Sequence, residues 1–330
     1  MTTAEDATPT PSTSRKIRNI IASPTVGPLM ALILAGAFFY TQNERFIQPL
    51  NLSLILQQTS WIAALAIGQT LIILTAGIDL SNGLVMAFGT VIMTTMAVEQ
   101  GVDPVIALAM GFVAIMAFGL LNGLLVTQLE LPPFIVTLGT LNIAFAVTRL
   151  VATTTIGNLP NLHTIFGERV SLFGTTFTYG SLFIFVLYGV MWFVMRETAF
   201  GRHVYAIGDD PEAARLMGIP VKRTLVQVYV LAAFFYAIGG WMLVGRIGSG
   251  DPNAGQTANL DSITAVVIGG TSLFGGRGNM LGTLVGALIV GVFINGLQIT
   301  GVDPLYQRLI TGVLVILAVA LDQLSQKLSK

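Results

Sequence analysis

The nearest approach to a phosphate-binding loop in this chain is Gly270-Thr271-Ser272-Leu273-Phe274-Gly275-Gly276, which ends on glycine where such a loop needs a phosphate-reaching lysine. No nucleotide site follows from it. Gly248-Ser249-Gly250 opens like a dinucleotide fingerprint, but Asn253 replaces the third glycine and no strand context surrounds it. A membrane-embedded serine nucleophile would need a histidine base, and neither His163 nor His203 lies within an apolar stretch. The lack of cysteine removes thiolate chemistry, disulfides and cysteine-held metals together. Two histidines are too few for a histidine-rich metal site.

What the long apolar stretches do carry is neutral hydrogen-bonding groups: Gln57, Gln58, Ser60, Gln69, Thr94, Thr95, Asn122, Thr137, Thr140, Asn142 and Asn295. An uncharged, hydroxyl-rich solute leaving water needs such replacement partners. The same groups serve equally as glue between helices. The centres of these stretches contain no Asp, Glu, Lys, Arg or His, the residues that proton- or sodium-driven transporters commonly keep there. Backbone carbonyls remain available to hold sodium, so ion coupling is weakened rather than excluded.

A second cluster lies in a polar loop, Arg196–Thr224. At its centre, Asp210 is placed to accept free amide hydrogens as a helix N-cap, and Pro211 fits the first turn. Glu212 complements the positive end, Arg215 the negative end, and Gly218 suits a left-handed stop before Pro220. The expected helix is about seven residues long, too short to be stable alone. Its caps, with exposed Ala213, Leu216 and Met217, point to docking against something outside the bundle.

These residues need a framework, and composition names its solvent. Hydrophobic side chains make up 54% of the 330 residues, charged ones 10%, and mean hydropathy is +0.80, which is too apolar for a soluble enzyme. Sixteen basic side chains against sixteen acidic ones exclude a nucleic-acid binder, which needs clustered positive charge. Residues 1–23 read as a disordered polar tail without a signal peptide's apolar run. Ten apolar segments follow, at 26–41, 50–76, 83–99, 104–126, 134–152, 177–195, 225–245, 261–275, 280–300 and 305–322. The segment at 261–275 is short enough to be a half-helix or re-entrant piece, and 50–76 long enough to be tilted or broken. The membrane domain spans 24–325, and 326–330 forms a second tail. With the N-terminus inside, Arg15, Lys16, Arg18, Arg196, Arg202, Arg215, Lys222, Arg223, Arg277, Lys327 and Lys330 face the cytoplasm. Only Arg45, Arg149, Arg169, Arg246 and Arg308 face the other side, so the distribution favours this orientation and an even number of crossings. Gly-Val-Asp-Pro at 101–104 and again at 301–304 is explained by shared helix-start chemistry. Gly119/Gly123 and Gly282/Gly286 put small residues on one helix face for close packing.

Three stretches resemble the permease subunits of bacterial ATP-binding-cassette importers for ribose, xylose, arabinose or fructose. They are Thr75-Ala76-Gly77-Ile78-Asp79-Leu80-Ser81-Asn82-Gly83, then Leu131-Pro132-Pro133-Phe134-Ile135-Val136-Thr137-Leu138-Gly139-Thr140, and the run from Phe200 through the capped helix to Ile268-Gly269-Gly270-Thr271-Ser272-Leu273-Phe274-Gly275-Gly276-Arg277-Gly278. Ala76 stands where the family usually has Gly, Asn82 where it usually has Val, and Asp209 where Gly or Asn is frequent. The resemblance implies an all-α, ten-span inner-membrane protein with both termini cytoplasmic and two inverted halves, spans two to five and seven to ten. It implies pairing with a second copy or a related permease, two cassette ATPases that bind the ATP and Mg, and a periplasmic sugar-binding protein. This chain itself would hold no cofactor. Asp209, Asp210, Pro211, Glu212, Ala213, Arg215, Leu216, Met217 and Gly218 would then couple to the ATPase. Gln57, Gln58, Gln69, Asn122, Phe134, Thr137, Asn142 and Asn295 would border the solute pathway, and Arg246, Asp251 and Asp261 would meet the binding protein. Permeases for branched-chain amino acids are more distantly similar, but a zwitterion fits spans without central charges less well than a sugar does. An ion-coupled secondary transporter is the remaining alternative.

Overall fold

The computed structural model describes residues 26–172 and 174–328. The tail read over residues 1–23, and Lys330, lie outside the described residues. The described chain is almost entirely helical. In order, the main elements are α1 (Val26–Gln42), α2 (Pro49–Leu74), α3 (Asn82–Val98), α4 (Pro104–Gln128), α5 (Pro133–Val151), α6 (Tyr179–Glu197), α7 (Ala199–Asp209), α8 (Pro211–Leu216), α9 (Val221–Ile247), α10 (Ala258–Ile268), α11 (Met280–Ile299) and α12 (Pro304–Leu328). Six of them, α2, α4, α5, α6, α9 and α11, are long and apolar enough to cross a membrane, while α1, α3 and α10 are shorter apolar helices. The chain is thus a multi-pass membrane protein.

The starts and stops follow local chemistry. Asp103 accepts hydrogen bonds from the amides of Val105 and Ile106 with Pro104 opening α4, and Asp303 accepts from Leu305 at the start of α12. Both Gly-Val-Asp-Pro runs are therefore caps. Helix α2, long enough to break, is continuous. Helix α10 has only eleven residues, so the expected segment 261–275 is a short helix followed by a turn. Helix α12 runs on to Leu328, past the expected boundary at 325.

Helices α2 and α9 form the buried centre, with Ala64, Leu65, Ile67 and Leu71 packed against Ala232, Tyr236 and Ala237. Outward faces of α1, α4, α5 and α6 carry exposed Ile33, Val113, Leu150 and Phe193, the side of a bundle that meets lipid. Helix α4 packs on α9 as α11 packs on α2, and α3 packs on α4 as α10 packs on α11. Close approach is what the glycine pairs permit. A side chain at Gly119 would strike Ala233 of α9, and one at Gly286 the carbonyl of Ala265 in α10.

The 152–178 connection closes one end of the bundle. It contains a small hairpin, β1 (Arg169–Leu172) with antiparallel β2 (Thr175–Thr178), which the sequence reading does not foresee. Trp241 Nε1 of α9 donates to the Leu162 carbonyl at 3.0 Å, Ile156 bridges to Gly250, and Ser53 of α2 donates to the Thr176 carbonyl.

Candidate functional site

At the opposite end of the bundle, α6 turns into α7 at Thr198, whose side chain accepts from the Gly201 amide. One face of α7 is buried through Gly201, Val204, Ile207 and Gly208. Tyr205 donates its hydroxyl to the Gly278 carbonyl at 2.9 Å, and partial burial raises its pKa above the ordinary value. Gly208 packs on the Leu74 carbonyl so tightly that a Cβ would collide with it, and the Gly276 amide donates to that same carbonyl at 3.0 Å. The glycine-rich run at 269–278 is therefore a packing turn beneath α7, with Gly275 and Gly276 at φ 84° and 68°.

Helix α8 stands on this anchored base. Asp210 accepts from the amides of Glu212 and Ala213 at 2.9 and 3.0 Å, with Pro211 as first helical residue. Arg215 donates through Nε and Nη2 to Glu212 Oε2 at 3.2 and 2.9 Å. Gly218, at φ 83°, donates to Arg215 O and Ile219 to Ala214 O, which satisfies the last carbonyls. The helix has six residues, one fewer than expected. Ala214 alone is buried; Asp209, Ala213 and Arg215 are exposed, and Leu216 and Met217 are 80% and 84% exposed. Past α8, Lys222 pairs with Glu130 of the α4–α5 connection at 2.9 Å and holds that carboxyl below its usual pKa. Glu130 is a contact the sequence reading misses, because the pair is 92 positions apart.

The neutral interior residues divide. Gln69, Asn122 and Thr137 converge on residues 78–82. Asn82 donates to Gln69 Oε1 at 3.0 Å and to Ser262 Oγ of α10 at 2.9 Å, Asn122 to Ser81 Oγ at 3.2 Å, and Thr137 to the Ile78 carbonyl at 3.1 Å. Asn259 donates to the Leu80 carbonyl at 3.1 Å, so the N-terminal ends of α3 and α10 meet. Asp79, just before α3, is 2% exposed and accepts from the Ser81 amide and hydroxyl at 2.7 and 2.6 Å. It closes the turn before α3 and also takes a hydrogen bond from the Asn82 amide, the first residue of that helix. Asn295 is buried against Asn51, which donates to it at 2.9 Å. Phe134 and Asn142 lie on the exposed side of α5, Phe134 at 51% exposure, and Gln57 is half-buried.

Residues expected at the outer face also separate. Asp251 folds onto the Asn253 amide at 2.8 Å, within its own loop. Arg246 and Asp261 instead border a cavity of about 300 Å³ with Gln58, Trp61, Gln298 and Arg308. Trp61, Gln298 and Arg308 carry no spacing signal, since α2, α11 and α12 supply them from distant parts of the sequence. No metal-binding cluster of His, Cys, Asp or Glu occurs among the described residues.

Residues 51–319 match the family described as branched-chain amino acid transport system / permease component. The chain is 43% identical over 315 residues to the fructose import permease protein of Rhizobium meliloti, covering 93% of this chain and 88% of that one. It is 38% identical over 303 residues to the ribose import permease protein of Bacillus subtilis, with 90% and 92% covered. Identity to the galactose/methyl galactoside import permease protein of Haemophilus influenzae is 36% over 312 residues, with 89% and 92% covered. No solved structure matches the chain. Because the match runs from α2 into α12 and includes α7, α8 and the turn beneath them, the chain belongs to this family of transport-system permease components.

Proposed function

We propose that this chain is the membrane permease subunit of an ATP-binding-cassette importer whose cargo is a monosaccharide. The observation that carries the coupling is α8. It is a fully capped six-residue helix with Leu216 and Met217 exposed, standing on α7, which is locked to α2 and to the 269–278 turn. A short helix of this kind transmits force as a unit only if something grips it, and no nucleotide motif exists in the chain to do so internally. The grip is a separate cassette ATPase, one per permease, which binds the ATP and Mg. ATP-driven closure of the ATPase pair would move two α8 levers together, and hydrolysis would reset them.

The cargo follows from the relatives, whose names specify fructose, ribose and galactose. The uncharged interior fits such a cargo. Ten crossings of the inner membrane, cytoplasmic termini and two inverted halves are supported by the charge distribution and by the reciprocal packing of α4 on α9 and α11 on α2. Pairing with a second permease and delivery by a periplasmic binding protein complete the reading.

The test is uptake of labelled fructose, ribose and galactose by cells carrying the whole transporter, with the ATPase intact or catalytically inactivated. Inactivation should abolish accumulation even under an imposed proton or sodium gradient. Gradient-driven accumulation without ATP hydrolysis would establish the secondary-transporter alternative instead.

A further inference from the structure

The cavity shared by α2, α9, α10, α11 and α12 lies at the end of the bundle away from α8. Gln58 precedes Leu74, the residue beneath α7, by sixteen positions, a helical rise of roughly 24 Å. At about 300 Å³ the cavity is at the small end of ligand sites, large enough for one sugar ring and too small for a disaccharide with its water. A neighbouring hollow of about 350 Å³ shares Thr257, Asp261, Ile294 and Arg308 with it, so the space continues toward the start of α12.

Its walls carry unusual chemistry for a membrane bundle. Asp261, Arg246 and Arg308 border it together, yet none of the three forms a salt bridge among the described residues. Gln58 donates only weakly, to Gln298 Oε1 at 3.4 Å, which leaves Gln58 Oε1 buried without a partner. The indole Nε1 of Trp61 is likewise buried and unpartnered. These two unmet groups lie buried just behind the wall, while the charged groups themselves border the cavity.

We propose that this cavity is a sugar waypoint: a site that holds one monosaccharide briefly between release from the binding protein and passage inward. It rests on the sugar-import reading and adds residues to it. A carboxylate accepts two vicinal hydroxyls, and guanidinium groups donate to ring and hydroxyl oxygens. The Trp61 ring offers an apolar face to the sugar's C–H side. Arg246 and Asp261 thus serve the cargo rather than the binding protein. A branched-chain amino acid would match the charges through its own ammonium and carboxylate, but its aliphatic side chain would find mostly polar walls.

Trp61 supplies the readout. In full-length chain reconstituted in nanodiscs, with Trp192 and Trp241 changed to Phe, Trp61 is the only indole. Titration with fructose, ribose and galactose should give saturable quenching by at least one sugar, and Asp261→Asn or Gln298→Ala should weaken it about tenfold. Leucine should give none. Failure of all three sugars to quench, or saturable quenching by leucine alone, overturns the waypoint. In parallel, Asp261→Asn and Gln298→Ala in the whole transporter should raise the half-saturating sugar concentration for uptake. Wild-type uptake with unaltered variants would sink the waypoint alone; a wild-type transporter that accumulates no sugar would sink the import reading itself.

Discussion

Ala76 shows how a single residue carries both the family pattern and a departure from it. It follows the C-cap of α2 at φ 60°, a left-handed conformation that costs an L-residue about 1 kcal/mol and that glycine adopts freely. The family's usual glycine at this position thus has a physical reason. Its Cβ occupies the space that a side chain at Gly275, in the turn beneath α7, would need. Ala76→Gly should raise the thermal midpoint of the detergent-solubilised protein, corresponding to a gain of about 1 kcal/mol offset in part by unfolded-chain entropy. An unchanged or lowered midpoint would show that the backbone there relaxes without cost. The second departure, Asn82, was legible as unusual but not as a tie. Only the fold reveals that it joins α2 to α10 through Gln69 and Ser262.

At the scale of the element, α8 was the part most readable in advance, because caps are local. Asp210, Pro211, Glu212, Arg215 and Gly218 act within one or two turns, so their roles depend on nothing remote. The Glu212–Arg215 pair is exposed on both sides, 74% and 66%, so breaking it should cost well under 1 kcal/mol of fold stability. Any large effect of Glu212→Arg or Arg215→Glu must therefore come through the partner. Either variant should leave the melting curve in place while ATP hydrolysis continues with little sugar uptake. The double exchange restores an internal pair but not the surface pattern, and should remain uncoupled. Normal coupled uptake in the double exchange would assign the pair to helix stability alone. By contrast, α10 could not be bounded from sequence. Its apolar run continues into Gly269-Gly270, where a left-handed Gly270 at φ 84° ends the helix early.

For the molecule as a whole, the closing 152–178 segment ties the two central helices together, through Ser53 of α2 and through Trp241 and Gly245 of α9. His163 is buried there, and desolvation pushes its imidazole below the usual value of 6.5. The unfolded chain therefore binds the proton first as pH falls. The stability given by the neutral ring is complete above about 6.5 and is lost as pH drops from there through the lowered folded value. Thermal midpoints should fall between pH 7.5 and 5, with His163→Gln flattening that part of the profile. An equal fall in the variant would place the pH sensitivity elsewhere.

Hydropathy and cap chemistry act over a turn or a span, so the amino-acid order alone made the multi-pass helical bundle and the short capped helix α8 legible. Contacts between residues tens or hundreds of positions apart emerge only once the helices are packed. That packing turned Gln69, Asn122 and Thr137 into ties around a buried Asp79, gathered Gln58, Trp61, Arg246, Asp261 and Arg308 around one cavity, and paired Lys222 with Glu130. A polar side chain in an apolar helix has the same sequence signature whether it faces another helix or an open space. Only the packing of neighbours distinguishes the two.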